Sequence, residues 1–424
     1  MTLLLVSFLV LLLIGVPIFI ALAGSSLLFT HFVAGIPDFV VLHRMAGGVD
    51  SFPLLAVPFF ILAGNLMNSA GITNRIYDFA VAAVGWLRGG LGHVNVVGSV
   101  IFAGMSGTAV ADAGGLGTIE IKAMRDHGYK TDFAVGITAA SSTIGPIIPP
   151  SLPMVIFGVM ANVSIGQLFA AGFVPGLLMA GFLMAYVSWY AHRHGIGRDQ
   201  AFRLGVLGTS FVRAVPALLT PAIIIGGMAM GWFTPTEAAI AACAWAIFLG
   251  TVVYRSLSFK QFYKMTMDTI ETTAAVLLIV GAASLFGWVL TTTKVTEVVT
   301  AGLLSVTSDP LVLLLIINLI LLVVGCFIET IAAISILVPV FLPVVIAAGI
   351  DPVQFGVIMV LNLMIGLLTP PVGMVLFVLS RVANIPFDRT VRAVGPFLIP
   401  LLVVLGLITV FPWLTLAVPT YLYR

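Results

Sequence analysis

The chain has 424 residues with 18 Lys+Arg and 16 Asp+Glu, so charged residues make up 8% and the net charge is +2. A soluble domain carries about 25% charged residues, and at 61% apolar with a mean hydropathy of +1.21 this chain lacks the charged skin that keeps a globule in water. A soluble enzyme, a disordered tail and a nucleic-acid binder are excluded. So is a membrane β-barrel, whose alternating polarity is missing where apolar runs such as 311–324 dominate.

In chain order, apolar runs of bilayer-crossing length predict helical spans at 3–30, 53–69, 73–88, 134–162, 166–191, 214–232, 236–254, 273–292, 354–382 and 395–419. The first run has no basic leader and reads as a span rather than a cleaved signal. Two further stretches, 93–121 and 310–347, are apolar but interrupted, by SGTAVADAGGLGT from Ser106 and by GCFIETIAAIS from Gly325. Each predicts two half-length helices meeting at a tip, a re-entrant hairpin, because irregular backbone at membrane depth is tolerated only inside protein or beside a watery cavity. Segments 260–270 and 294–306 are short and amphipathic, suited to lying at the interface or against the bundle. Cys243 and Cys326 lie in apolar stretches and read as small buried hydrophobes.

Charge sets the orientation. With the N-terminus outside and each hairpin returning to its own side, every Lys and Arg except Arg75, Lys294 and Arg424 falls inside.

The chain also repeats. Gly145-Pro146-Ile147-Ile148-Pro149-Pro150 aligns with Gly366-Leu367-Leu368-Thr369-Pro370-Pro371, and at the same offset Gly104 aligns with Gly325 and Pro175 with Pro396. In both halves a hairpin precedes a span broken at Pro-Pro. The first broken span runs from inside to outside and the second from outside to inside. Inverted repeats with discontinuous helices are the pattern of secondary transporters, with the site at the midplane where the breaks meet.

The chemistry follows from the breaks. Two prolines in mid-span remove backbone donors and push the preceding residue out of the helical region. Carbonyls near Gly145, Ile148 and Thr369 lose their partners, and a sodium ion can satisfy them together with the hydroxyls of Ser106, Thr108, Thr330 and Thr369. The half-helix N-termini exposed by the same breaks favour a carboxylate. One Pro-Pro kink is readily structural; two at matched places beside broken hairpins point to function.

Asp112 and Glu329 lie in the hairpins, where an acid can ligate a cation, carry a proton or hold the hairpin shape. Ser141, Ser142, Thr143, Asn362 and Arg381 are the candidate substrate contacts. Interhelical hydrogen bonds are the competing reading for the Ser, Thr and Asn residues, as for Asn65 and Asn95, and a cytoplasmic anchor for Arg381. Thr234-Pro235-Thr236-Glu237 reads as a capping box. No P-loop, H-E-x-x-H or G-x-S-x-G occurs and the six histidines have no ligand spacing, so neither ATP, an organic cofactor, a catalytic residue nor a transition metal is expected.

Four stretches in order carry a resemblance: GMSGTAVADAGGLGTIEIKAM (104–124), GPIIPPSLPMVIFG (145–158), GWFTPTEAAIAA (231–242) and GLLTPPVGMVLFV (366–378). They resemble the large, DctM-type membrane subunit of tripartite ATP-independent periplasmic (TRAP) transporters, and the resemblance covers essentially the whole chain. It implies an all-α polytopic protein of the bacterial inner membrane, driven by a sodium gradient. It also implies a separate small subunit of four membrane helices and a periplasmic binding protein that delivers an organic acid.

Carried over by motif, one sodium site involves Ser106, Gly107, Thr108, Gly145, Ile148 and Pro149, and a second Gly325, Glu329, Thr330, Thr369, Pro370 and Gly373. The implied organisation is an elevator: a scaffold of 1–92, 163–309 and 383–424, and a transport domain of 93–162 and 310–382. A carrier of the same fold working alone is the nearest competitor, and a membrane-embedded enzyme a more distant one. Dicarboxylates, sugar acids and keto acids suit the half-helix ends equally.

Overall fold

A computed structural model describes residues 2–69 and 72–423, with the side chains of Ser69, Met105 and Ser106 outside the described set; the side assigned to Arg424 therefore falls outside it too. Regular structure among the described residues is helical, apart from one isolated bridge between Arg88 and Arg198. Six helices are long and apolar enough to cross a membrane, seven if Phe39–Val49 and Phe52–Asn68, bent by 66°, form one span.

Two helices make the centre. Thr131–Ser142 is buried from Phe133 to its end, and Pro352–Gly366 from Val353 to Gly366. A helix apolar all round must be enclosed by protein or lipid, and here neighbours enclose both. Phe387–Val410 packs on Thr131–Ser142, Pro310–Gly325 on Pro352–Gly366, and Ile165–Arg193 on both. Each central helix ends at a Pro-Pro, with both Pro149–Pro150 and Pro370–Pro371 cis. The first break, between 143 and 151, is thereby held in the interior.

The repeat extends beyond the breaks to nearly every element. At the offset that aligns Gly145 with Gly366, Gly90–Ser106 corresponds to Pro310–Gly325, and Ala109–Gly114 with Leu116–Asp126 to Thr330–Ala347. We label these pairs hairpins A and B; Thr330–Ala347, expected as a half-length arm, is itself one of the six helices of crossing length among the described residues. Thr131–Ser142 and Leu152–Ala161 correspond to Pro352–Gly366 and Met374–Ala383, with breaks A and B between them. Ile165–Arg193 corresponds to Phe387–Val410, Ile72–Val84 to Val295–Val306, and the bent pair from Phe39 to Phe259–Thr292. Packing obeys the same relation: Leu152–Ala161 lies on Thr330–Ala347, and Met374–Ala383 on Ala109–Gly114.

Helix starts show how charge differs between equivalent positions. In the second half Asp309 and Asp351 cap their helices, accepting from Leu311 N–H at 2.7 Å and Val353 N–H at 2.7 Å, each followed by Pro at the first helical position. Their counterparts are Arg88 and Lys130. Equivalent helix starts thus carry acids in the second half and bases in the first.

The structure corrects several spans. The run 3–30 is two helices, Thr2–Leu13 and Ile18–Phe29, folded side by side so that Leu11 reaches Gly24. Gly15, at φ 84°, turns the chain and Pro17 starts the return. The runs 53–69 and 73–88 are not two spans: the first is the inner part of the bent pair, and Ile72–Val84 is a separate 13-residue helix. Segment 260–270 does not lie apart either. It is the start of a continuous 34-residue helix, Phe259–Thr292, antiparallel to the bent pair, with Asn65 Nδ2 donating to Thr269 Oγ1 at 3.0 Å. The span at 214–232 begins earlier, as Leu204–Ala229, and 395–419 divides into Phe387–Val410 and Trp413–Leu422.

Candidate functional site

Each hairpin tip rests on the break of its own repeat. At tip A, Gly107 takes φ 61°, and a Cβ there would meet the Pro150 carbonyl oxygen at 2.7 Å. Thr108 follows in extended backbone and caps the second arm, its hydroxyl accepting from Ala111 N–H at 3.3 Å. At tip B, Gly325 lies against Gly366, and the Cys326 carbonyl accepts from Val372 N–H at 3.2 Å. Glu329 stands where Thr108 stands in the other half and does the same work: one carboxylate oxygen accepts from Ile331 N–H at 2.9 Å and Ala332 N–H at 3.2 Å. Thr330, beside it, is 2% exposed and its hydroxyl has no partner among the described residues.

The breaks leave carbonyls free. In break A, Ile144 O accepts from Ile147 and Ile148 N–H, and Pro146 O from the Ser151 hydroxyl, which also caps Leu152–Ala161. No hydrogen bond among the described residues ends on the carbonyls of Gly145, Ile148 or Pro149. In break B, Thr369 is tied back through Oγ1 to Ile365 O at 2.9 Å and through N–H to Gly366 O at 2.9 Å. The carbonyls of Gly325, Thr369 and Pro370 have no such partner there. Oxygen-only ligands on broken backbone fit a hard cation. No group of three His, Cys, Asp or Glu that could hold a metal ion occurs among the described residues.

The two breaks differ in exposure. Break A is buried throughout, closed by Ile165–Arg193: a Cβ on Gly172 would strike the Ile147 carbonyl and one on Gly176 the Ile148 side chain. Break B is open along Pro370, Pro371 and Val372, and Phe327 at its hairpin tip is 58% exposed.

Of the residues expected at the site, the structure sets Gly107 against Pro150 of break A and Gly325 against Gly366 at break B; Thr108 caps the second arm of hairpin A, and Glu329 caps and Thr330 begins that of hairpin B. The Ser106 side chain lies outside the described residues. Ser141, Ser142, Thr143 and Asn362 are buried; the three hydroxyls are spent on the protein, while Asn362 Oδ1 has no partner among the described residues. Ser141 donates to Asn95 Oδ1 at 2.5 Å, Ser142 to Ala139 O and Thr143 to Ala140 O. Asn362, at the position equivalent to Ser141, donates to Asn318 Oδ1 at 2.8 Å. Arg381 is exposed in the last turn of Met374–Ala383, away from the break. Glu237 forms the capping box with Thr234.

Sequence reasoning missed Gly172 and Gly176, although their small-xxx-small spacing is a packing signal. It also missed Glu120, buried in hairpin A beside Gly98, with both carboxylate oxygens unpartnered among the described residues.

Residues 5–414 match the family described as "Tripartite ATP-independent periplasmic transporter, DctM component". The sialic acid TRAP transporter large permease protein SiaM of Vibrio cholerae is 49% identical over 96% of this chain and 95% of that protein. The sialic acid TRAP transporter permease protein SiaT of Haemophilus influenzae is 44% identical over 99% of this chain and 68% of that protein. Among solved structures, the YdaH transporter of Alcanivorax borkumensis superposes with a TM-score of 0.64 over 90% of this chain and 89% of that one, at 15% identity, a likeness of fold alone.

Proposed function

Because this chain belongs to the DctM family of tripartite ATP-independent periplasmic transporters, a family of multi-pass inner-membrane permeases and not enzymes, we propose that it is the sodium-coupled subunit that carries an organic acid inward. The small membrane subunit and the periplasmic binding protein are its proposed partners. A carboxylated sugar is the proposed cargo, with sialic acid first, since that is the acid named for both relatives above.

One observation carries the reading: two breaks at matched places in the repeat each have carbonyls without a partner among the described residues, and each is touched by its own hairpin tip. Sodium at the Gly145–Pro149 and Gly325–Thr369–Pro370 carbonyls, with the Thr330 hydroxyl, orders both tips. The carboxylate then meets the N-terminal ends of the second half-helices. Hairpins and broken spans, 93–162 and 310–382, move as one body against the remaining helices as scaffold. A ligand drives such a change only through its differential affinity for the two states, and the contrast between buried break A and open break B is the asymmetry expected of one end state.

A second reading rests on a specific observation. Asp112 Oδ2 and both Glu120 oxygens are buried without partners among the described residues, which suits proton coupling. One experiment separates the two. The complex is reconstituted in vesicles with the binding protein, and sialic acid uptake is measured under a sodium gradient and, separately, a proton gradient. Uptake that follows sodium supports the first reading. Uptake that follows protons alone overturns it in favour of the second.

A further inference from the structure

We propose that a pocket at the cytoplasmic end of Thr131–Ser142 binds a phosphate-bearing anion, the favoured source being the headgroup of an anionic phospholipid. The pocket is a cavity of about 490 Å³ between the turn 127–130 and the loop 194–199, which leads to Leu204–Ala229. Its cationic or protonatable lining is Lys130, Arg198, His127 and His194, with Tyr190 as an aromatic wall. It does not depend on which ion drives transport.

Three observations point to an anion. First, the lining is net positive, with Lys130 and Arg198 set against the single carboxylate of Asp199. Lys130 and Arg198 make no ion pair among the described residues. The one acid in the lining, Asp199, is committed: its Oδ2 accepts from Tyr129 Oη at 2.6 Å and Leu91 N–H at 2.9 Å. Burial, then the Asp199 carboxylate, push the Tyr129 hydroxyl well above its usual range, so it stays a donor.

Second, the repeat shows what this helix end lacks. Lys130 is the N-cap of Thr131–Ser142 and no side chain caps that end. At the equivalent position Asp351 supplies a carboxylate to Val353 N–H. This end carries a cation at the cap, and its first-turn acid, Asp132, pairs with Arg389 Nε at 2.7 Å instead of capping, which leaves the helix-start N–H groups to an external anion.

Third, the pocket lies at headgroup depth. Trp189, next to Tyr190, is 53% exposed with Arg193 over its ring, and Trp86 packs on exposed Phe202. Aromatic rings of this kind mark the membrane–water interface, and basic pockets on the cytoplasmic side take anionic headgroups.

The test uses the purified full chain. Native mass spectrometry compares retention of phosphatidylglycerol and phosphatidylcholine of equal acyl length. Wild type is set against Lys130→Gln/Arg198→Gln and against the charge-matched Lys122→Gln/Arg193→Gln. A parallel arm melts delipidated protein in inorganic phosphate and in chloride at matched ionic strength. The expected result is selective phosphatidylglycerol retention, weakened about tenfold by the pocket pair and not by the control pair, with Lys130→Arg/Arg198→Lys retaining most of it. A phosphate-dependent rise in melting that only the pocket pair loses, without lipid selectivity, assigns the same site to a free anion. Pocket and control pairs that behave alike in both arms overturn the proposal.

Discussion

Gly366 and Gly325 meet backbone to backbone: a Cβ on Gly366 would stand 2.6 Å from both the Cα and the carbonyl carbon of Gly325. The last residue of a central helix thus sits directly under the tip of hairpin B. Neither obstacle is the far end of a flexible side chain, so Gly366→Ala must move the tip. Overpacking of this kind costs about 1–3 kcal/mol. The expected outcome is a lower melting temperature and loss of most uptake at normal expression. Gly395→Ala, with nothing within 4 Å of the added carbon, serves as the control and should melt at or above wild type. Normal uptake by Gly366→Ala would remove the tip–break contact from the mechanism.

Thr330 makes a prediction with an unusual sign. A buried hydroxyl left unpaired costs about 1–3 kcal/mol, and Thr330 Oγ1 is such a group among the described residues. Thr330→Val keeps the shape and deletes the hydroxyl. Ion-free protein should therefore be as stable as wild type or more so, while the sodium-dependent rise in melting temperature shrinks. Thr330→Ser should keep that rise. A full sodium response in Thr330→Val takes the hydroxyl out of the ion site.

What could be read from the sequence divides by the range of the interactions involved. Pro149–Pro150, Pro370–Pro371 and the Gly-rich interruptions at 106–118 and 325–335 are local helix breakers, and helices end at or shortly before each of them. The turn at Gly15 was hidden inside one long apolar run, because a reversal there needs only a few residues and apolar helices continue on both sides. The first turns of Phe259–Thr292 are polar enough to look like a separate surface helix, and what holds them in one rod is distant: the bent pair packed along its length. Ser141 and Asn362 looked like cavity residues because they approach the breaks. Only the fold brings Asn95 and Asn318 to meet them.

Those Asn contacts give a third prediction. Asn95 bridges Thr138, at 2.7 Å, and Ser141, at 2.5 Å, tying hairpin A to the central helix. Asn95→Ala leaves the buried Ser141 hydroxyl one partner short, and double-mutant coupling between such neighbours is about 0.5–3 kcal/mol. Asn95→Ala, Ser141→Ala and the double variant should show non-additive losses of stability, with the KM for the acid unchanged in Ser141→Ala. A raised KM at full stability would return Ser141 to the substrate.

The exposure difference between the breaks gives the last. Val372 is 39% exposed in break B, whereas Ile148 in break A is 5% exposed beneath Gly176. Met374–Ala383 leads from break B to Arg381, on the side the positive charges mark as inside. Under the orientation proposed from the positive charges the open mouth faces the cytoplasm, and inverted repeats then require the opposite end state to exchange the roles of the two breaks. In a Cys326→Ser background, which removes the half-buried thiol at tip B, Val372→Cys should react with an impermeant maleimide in inside-out vesicles and not in right-side-out cells. Ile148→Cys should resist from both sides until sodium, the acid and the binding protein are supplied, and then react from outside. Labelling of Val372→Cys from outside alone, or of both positions alike, would contradict the assigned end state and the exchange that follows from it.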